Sequence, residues 1–393
     1  MGYDFDTPVD RHGTWCVQWD GVAERFGVDG LLPFTISDMD FRSPPEVLDA
    51  LQRRVAHGVF GYTDWRNEDF LSAIAHWSKT RYGTDIAADG AVATSRVVYA
   101  PSVLNQLSQL LRMWTGPGDG VVVHTPTYDG FRKALTGLGR ELRGVPVGDT
   151  AALERQLARP DSKILLLCSP HNPTGRVWTE AELTLFAELA AAHGVAVVSD
   201  EIHADFVHPD FAPPGTRHLP WTRFGSGRWA LITAATKSFN FAALSGSYGI
   251  IGDPDDHAAF LSRMYTGEGL ASPAVLSLTA HIAAYREGAP WLDALNTYVE
   301  DNLRMVAERL NAAFPELDWR PPQAGYLAWL DLRPLGIDDD ALQRELIEQQ
   351  KVAIMPGSVY GCDGFLRFNV GCPRAKAEQG MDALVRALRR LRP

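Results

Sequence analysis

Four short apolar runs in this chain each end in a polar residue of a different kind, and no other feature restricts the fold as much. Val121–His124 runs into Thr125-Pro126-Thr127-Tyr128, and Lys163–Cys168 into Ser169-Pro170-His171-Asn172. Val195–Val198 leads to Ser199-Asp200, and Trp229–Ala235 to Thr236-Lys237. Short apolar runs bounded by turn residues read as buried strands. Between the second and third runs lies a helix, with Thr179 and Glu182 as a capping box and Leu183, Phe186 and Leu189 as its apolar face up to Gly194. Strand, helix, strand in that order is a βαβ unit, with parallel strands and a right-handed crossover. The expected class is α/β around a mostly parallel central sheet.

In such sheets ligands bind past the carboxyl ends of the strands. An aromatic (Tyr128), an amide (Asn172), a carboxylate (Asp200) and an amine (Lys237) are therefore expected along one edge. A fifth strand, Val97–Ala100, passes through Pro101-Ser102-Val103 into an amphipathic helix marked by Leu104, Leu107, Leu110 and Leu111. A helix start of this kind offers free N–H groups and the positive end of the dipole to an anion. Singly, each residue has a plain structural reading: Asp200 as a helix cap, Asn172-Pro173-Thr174-Gly175 as a turn, Tyr128 as a core aromatic, Lys237 as a solvated strand end. Together they supply what pyridoxal 5'-phosphate requires of a protein. Lys237 is the amine for its aldehyde, Asp200 the carboxylate for its ring nitrogen, Tyr128 the face for its ring, and the Ser102 helix start the anion site. Lys237, once released by an incoming amino acid, is placed to act as general base at Cα.

The flanking regions differ in character. Residues 1–42 read as irregular, and Ser43, Pro44 and Glu46 then predict a capped helix start whose apolar face is Val47, Leu48, Leu51 and Val55. Helices are expected over 70–81, 274–287 and 291–314. After Pro321-Pro322 the pattern becomes α+β, with strands at 326–332, 352–355 and 365–370 and helices at 340–349 and 375–391. The expected organisation is an N-terminal segment (1–48) packed with a small C-terminal domain (289–393), and a large cofactor-binding domain (49–288). A net charge of -11 argues against nucleic acid or an anionic membrane as partner. Four cysteines without a CxxC pair fit a reducing compartment, and no signal peptide or spanning segment is visible. Cytoplasm is the expected location.

The motifs Ser169–Gly175, Ser199-Asp200-Glu201-Ile202-His203 and Thr236-Lys237-Ser238-Phe239-Asn240 resemble the three signatures of fold-type I pyridoxal phosphate enzymes, the class I/II aminotransferase group. Arg11–Thr14, Ser37–Phe41, Gly61-Tyr62 and Asn369–Arg374 are similar, more narrowly, to the cystathionine β-lyase (C–S lyase) subgroup of the MalY/PatB type. The resemblance covers essentially the whole chain. It implies a homodimer with active sites at the subunit interface, where Tyr62 reaches the phosphate in the partner subunit. Tyr128 would stack on the ring, Asn172 bond its 3-oxygen and Asp200 pair with its nitrogen. His203 takes the place where many relatives carry a tyrosine, Thr236 and Val103 join the cofactor shell, and Arg367 forks onto the substrate carboxylate, with Arg374 a second candidate. The arginine usual a few residues after the lysine is missing from Ala242-Ala243-Leu244-Ser245-Gly246, as in the lyase subgroup. The activity implied is α,β-elimination on an amino-acid thioether such as L-cystathionine. An aminotransferase and a cofactor-binding protein that acts through contacts with a regulator are the alternatives, and no metal is expected.

Overall fold

The computed structural model describes residues 2–86 and 94–392, and two sheets organise them. The larger has seven strands: β2 (Val97–Ala100), β3 (Gly120–Thr125), β4 (Glu141–Pro146), β5 (Ser162–Cys168), β6 (Ala196–Asp200), β7 (Trp229–Thr233) and β8 (Ser247–Ile251), in the order β2-β8-β7-β6-β5-β3-β4. From β7 to β4 all neighbours run parallel. The mostly parallel α/β sheet is therefore as expected. Both faces are covered, which is why the strands are almost continuously apolar. Val121, Val123, Ile164, Leu166, Val198 and Ile232 pack on one side. Their neighbours Val122, Leu165, Leu167, Val197 and Leu231 pack on the other. Each such buried side chain stabilises the layer by roughly 1.5–3 kcal/mol relative to exposure.

β8 is antiparallel to both β7 and β2. This reversal was not foreseen, and it decides where Lys237 lies. Because β8 returns beside β7, the connection 234–246 starts and ends at the carboxyl edge of the parallel strands. Lys237 is thus carried on a loop anchored at both ends by the sheet. The edge strand β4 also escaped the sequence reading, since its burial alternates between exposed and buried.

The smaller sheet has β1 (Leu32–Phe34), β9 (Leu327–Asp331), β10 (Val352–Pro356) and β11 (Phe365–Asn369), in the order β1-β10-β11-β9. β1 pairs parallel with β10 and the others are antiparallel. The stretch expected to be irregular, 1–42, thus contains a strand and a short helix, Val22–Phe26. A three-residue strand is too short to show periodicity, and its reason for forming is tertiary: Phe34 stacks on Phe368 with ring centroids 4.6 Å apart. The Thr179–Glu182 capping box forms as predicted. The Ser43 one does not: the helix runs Pro45–Ala56 behind Pro44, without a side-chain cap. The Ser43 hydroxyl instead donates to the Asn240 carbonyl at 2.9 Å. Removing the formed box with Thr179→Ala is expected to cost about 1 kcal/mol, read as a lower urea midpoint of unfolding.

Candidate active site

Past the carboxyl edge of β5, β6 and β7 lies a cavity of about 200 Å³. Ser102, Val103, Tyr128, Asn172, Asp200, His203, Thr236 and Lys237 all line it, together with Ser37, Cys168, Ser245 and Gly246. The residues that sequence reasoning drew from separate strands therefore meet. Arg367 joins them from β11: its Nη1 donates to Asn172 Oδ1 at 3.2 Å and its Nη2 to the Thr35 carbonyl at 2.8 Å. Two candidates stand apart. Tyr62 is fully exposed, and Arg374 starts the helix Arg374–Leu391, where its N–H donates to the Tyr298 hydroxyl at 2.7 Å.

Burial sets the protonation of this cluster. Desolvation lowers the Lys237 ammonium; the charges of Asp38 and Asp200 oppose that fall and Arg367 adds to it. Desolvation likewise pushes Asp200 up to about 7, against a hydrogen bond from the Ile202 N–H (3.1 Å) and the charge of Lys237. A cationic ring nitrogen beside this carboxylate would favour its charged form, by direct attraction. His203 is held neutral, its pKa lowered to about 3 by burial and by the charges of Lys237 and Arg367. Its Nε2 accepts from Asn172 Nδ2 at 3.4 Å, which leaves the proton on Nδ1.

Several polar atoms here lack partners. His203 Nδ1, Ser37 Oγ and Arg367 Nε are buried without a hydrogen bond, an arrangement that costs energy unless a ligand satisfies it. At one end, Ser102 caps the helix Val103–Trp114 by accepting from the Asn105 N–H at 3.1 Å. The first N–H groups of that helix have no intrahelical acceptor and face the cavity end lined by Ser102 and Val103. An amine, a carboxylate, an aromatic, an amide and an anion site around one cavity fit pyridoxal phosphate.

The sequence reading missed how the site is held. Lys237 Nζ donates to the Ser37 carbonyl. Asn240, at φ +54, donates from Nδ2 to the carbonyls of Met39 (2.9 Å) and Phe41 (2.6 Å). Asn369 Nδ2 donates to the carbonyls of Ile36 (2.7 Å) and Asp38 (2.6 Å). Residues 35–43 are thereby strapped across the site between the two sheets. On the other side of the lysine turn, Ser238 donates to the buried carboxylate of Asp205, which also accepts from Trp77 Nε1 (3.1 Å) and the Tyr82 hydroxyl (2.6 Å). Asp205 follows the Asp200–His203 motif by two residues, but nothing in its spacing points to a serine in the connection after β7.

The family model for aminotransferase class I and II spans residues 29–384. The chain belongs to that family. Protein MalY of Escherichia coli K12 is 54% identical over 99% of this chain and its own full length. Cystathionine beta-lyase PatB of Bacillus subtilis is 36% identical, over 98% of this chain and 100% of PatB. Among solved structures, the PLP-bound C–S lyase of Staphylococcus hominis superposes with a TM-score of 0.90 at 26% identity, covering 99% of this chain and 98% of that one. The fold is the fold-type I arrangement of this family, as the motifs implied.

The raised pKa of Asp200 has a stability signature in the cofactor-free protein. Between the unfolded value near 4 and about 7, the unfolded chain loses this proton while the folded one keeps it. The parent therefore loses stability from this group as pH rises, and Asp200→Asn does not. The stability of Asp200→Asn relative to the parent should grow between pH 4 and 7, by on the order of 2–4 kcal/mol, measured by denaturant titration at each pH.

Proposed function

We propose that this chain is a pyridoxal phosphate-dependent carbon–sulfur β-lyase. It cleaves L-cystathionine and related cysteine S-conjugates by α,β-elimination to a thiol (homocysteine), pyruvate and ammonia. The observation that carries the reading is the meeting of Lys237, Asp200, Tyr128 and Asn172 around one cavity, with Arg367 beside them and unpaired with any carboxylate among the described residues. The names of the full-length relatives favour elimination over amino transfer. The domain division 1–48, 49–288 and 289–393 and a cytoplasmic location belong to the same reading; among the described residues no helix is long and apolar enough to cross a membrane.

In this reading Arg367 takes the substrate α-carboxylate bidentately, since its guanidinium is already oriented by Asn172, Thr35 and the Tyr360 ring. Tyr128 would hold the cofactor ring, and Asp200 would keep its nitrogen protonated. Neutral Asn172 and His203 would bond the ring oxygen, and the Ser102–Val103 helix start would hold the phosphate. The bound cofactor supplies an electron sink for the pair left at Cα. Lys237 Nζ, with its pKa lowered by burial, takes the Cα proton as general base. Lys237→Ala is expected to lower turnover by about 10²–10⁴-fold, assayed as thiol and pyruvate released together from L-cystathionine. Conversion of the cofactor to its amine form without thiol release by the unaltered protein would move the assignment to an aminotransferase.

The reading includes a second copy of this chain. Val55, Val59, Phe60 and Tyr62 are more than half exposed, and Leu270 joins them because Ser272 Oγ bonds the backbone N–H (2.8 Å) and carbonyl (3.1 Å) of Thr63. An apolar patch of this kind marks an interface. Among the described residues lining the cavity, Lys237 is the one cation; Tyr62 from a partner would add a neutral hydroxyl donor to the phosphate. Phe60→Asp should give monomers in sedimentation and weaker cofactor retention; an unchanged dimer would refute this interface.

A further inference from the structure

One guanidinium lies on the Tyr360 ring, and two more lie beside its neighbours Gly361 and Met355. Arg367 stacks on its ring, 4.6 Å from the centroid. The next residue, Gly361, has φ +82, and Arg132 Nη1 lies 2.8 Å from the point where a Cβ would stand on it. Arg25 comes from the N-terminal helix, its Nη1 3.9 Å from Met355 Sδ, and Met355 is the register partner of Arg367 across β10 and β11. Burial raises the Tyr360 hydroxyl to about 12 and lowers Arg367, and the charge of Arg25 acts on both, drawing each down.

Arg25 and Arg132 are exposed, and among the described residues neither has an ion-pair partner. The acid on Arg132's own helix, Asp129, is taken by Lys133 at 2.6 Å. In a chain of net charge -11, gathering three such cations costs Coulomb energy that an arriving anion relieves. One anion, the substrate α-carboxylate, is accounted for by Arg367. Arg25 also lines a cleft of about 510 Å³ with Trp15, Val17, Asp20 and Glu24.

We propose that Arg25 and Arg132 form a second carboxylate subsite, which binds the distal carboxylate carried by the sulfur of the substrate. The preferred substrates are then thioethers with an acidic or amino-acid tail, and Glu24 is the group available to a distal ammonium. This rests on the lyase reading for the orientation of the substrate, with its α-carboxylate on Arg367.

The test compares two amino acids without a cleavable bond. α-Aminosuberate matches L-cystathionine in length and carries a distal carboxylate; α-aminooctanoate lacks it. Calorimetry on the holoenzyme should show tighter binding of α-aminosuberate. Arg25→Ala and Arg132→Ala should each weaken it by about two- to fivefold, the range for exposed charge pairs, and leave α-aminooctanoate unaffected. Arg25→Lys should retain most of the affinity. In turnover the same alanine variants should raise KM for L-cystathionine, leave kcat unchanged, and leave both constants unchanged for S-methyl-L-cysteine. Equal weakening for both amino acids would mean general steering, and no weakening would mean no role; either overturns the subsite. Binding needs no elimination, so a protein that passes this comparison and releases no thiol would sink the lyase reading alone.

Discussion

A lysine taken out of water cannot hold its charge cheaply, and the arrangement around Lys237 depends on that fact. The side chain is buried at the carboxyl edge of the large sheet, with the Ser37 carbonyl as acceptor and Asp200 across the cavity. Burial lowers the amine and raises the carboxylate, so both move toward neutrality. The two groups proposed as base and counter-ion are thus shifted by the same desolvation. Maintaining it requires a turn that does not open. Asp205 holds Ser238 on one side, and Asn240 holds residues 39–41 on the other.

Those tethers join the two sheets. Residues 35–43 leave β1, cross the cavity, bond Asn369 and Arg367 of β11, and then bond Asn240 beyond the lysine. A shift of the small sheet would therefore reach Ser37 and the amine through one continuous set of hydrogen bonds. Asn302 adds a fully buried anchor, donating to the carbonyls of Val370 (3.0 Å) and Cys372 (2.9 Å) just past β11. The position of Arg367 is consequently tied to the same strap that meets Lys237, which couples the two ends of the candidate site.

What could be read from the sequence follows from how local each determinant is. Asp200, Asn172 and Lys237 stand directly after apolar runs, so strand parity and the rule for parallel sheets were enough to bring them together. The Thr179 capping box is a four-residue pattern, and it forms. The Ser43 pattern has the same residue types and does not form, because Ser43 is drawn to Asn240 almost two hundred residues away. β1 was illegible for a similar reason: Leu32–Phe34 is extended because Val352–Ile354 pairs with it, not because of its own pattern. Asp205, Asn240 and Asn369 act on partners that no short window contains.

The distribution of charge shows the same division between local and tertiary causes. The chain is acidic overall, and most arginines with a nearby acid are paired with it on the surface, where each pair is worth little. Near Tyr360 the pattern differs: the ring stacks on Arg367, and Arg132 and Arg25, neither in an ion pair among the described residues, lie beside Gly361 and Met355. None of the three is close to another in sequence, so their convergence is a product of the fold. A positive region built into an acidic protein raises the local concentration of small anions. In the proposed reading, selection for a carboxylate at both ends of the substrate would need no additional fold element, only cations placed where the N-terminal helix and the helix after Tyr128 meet the rim of the small sheet.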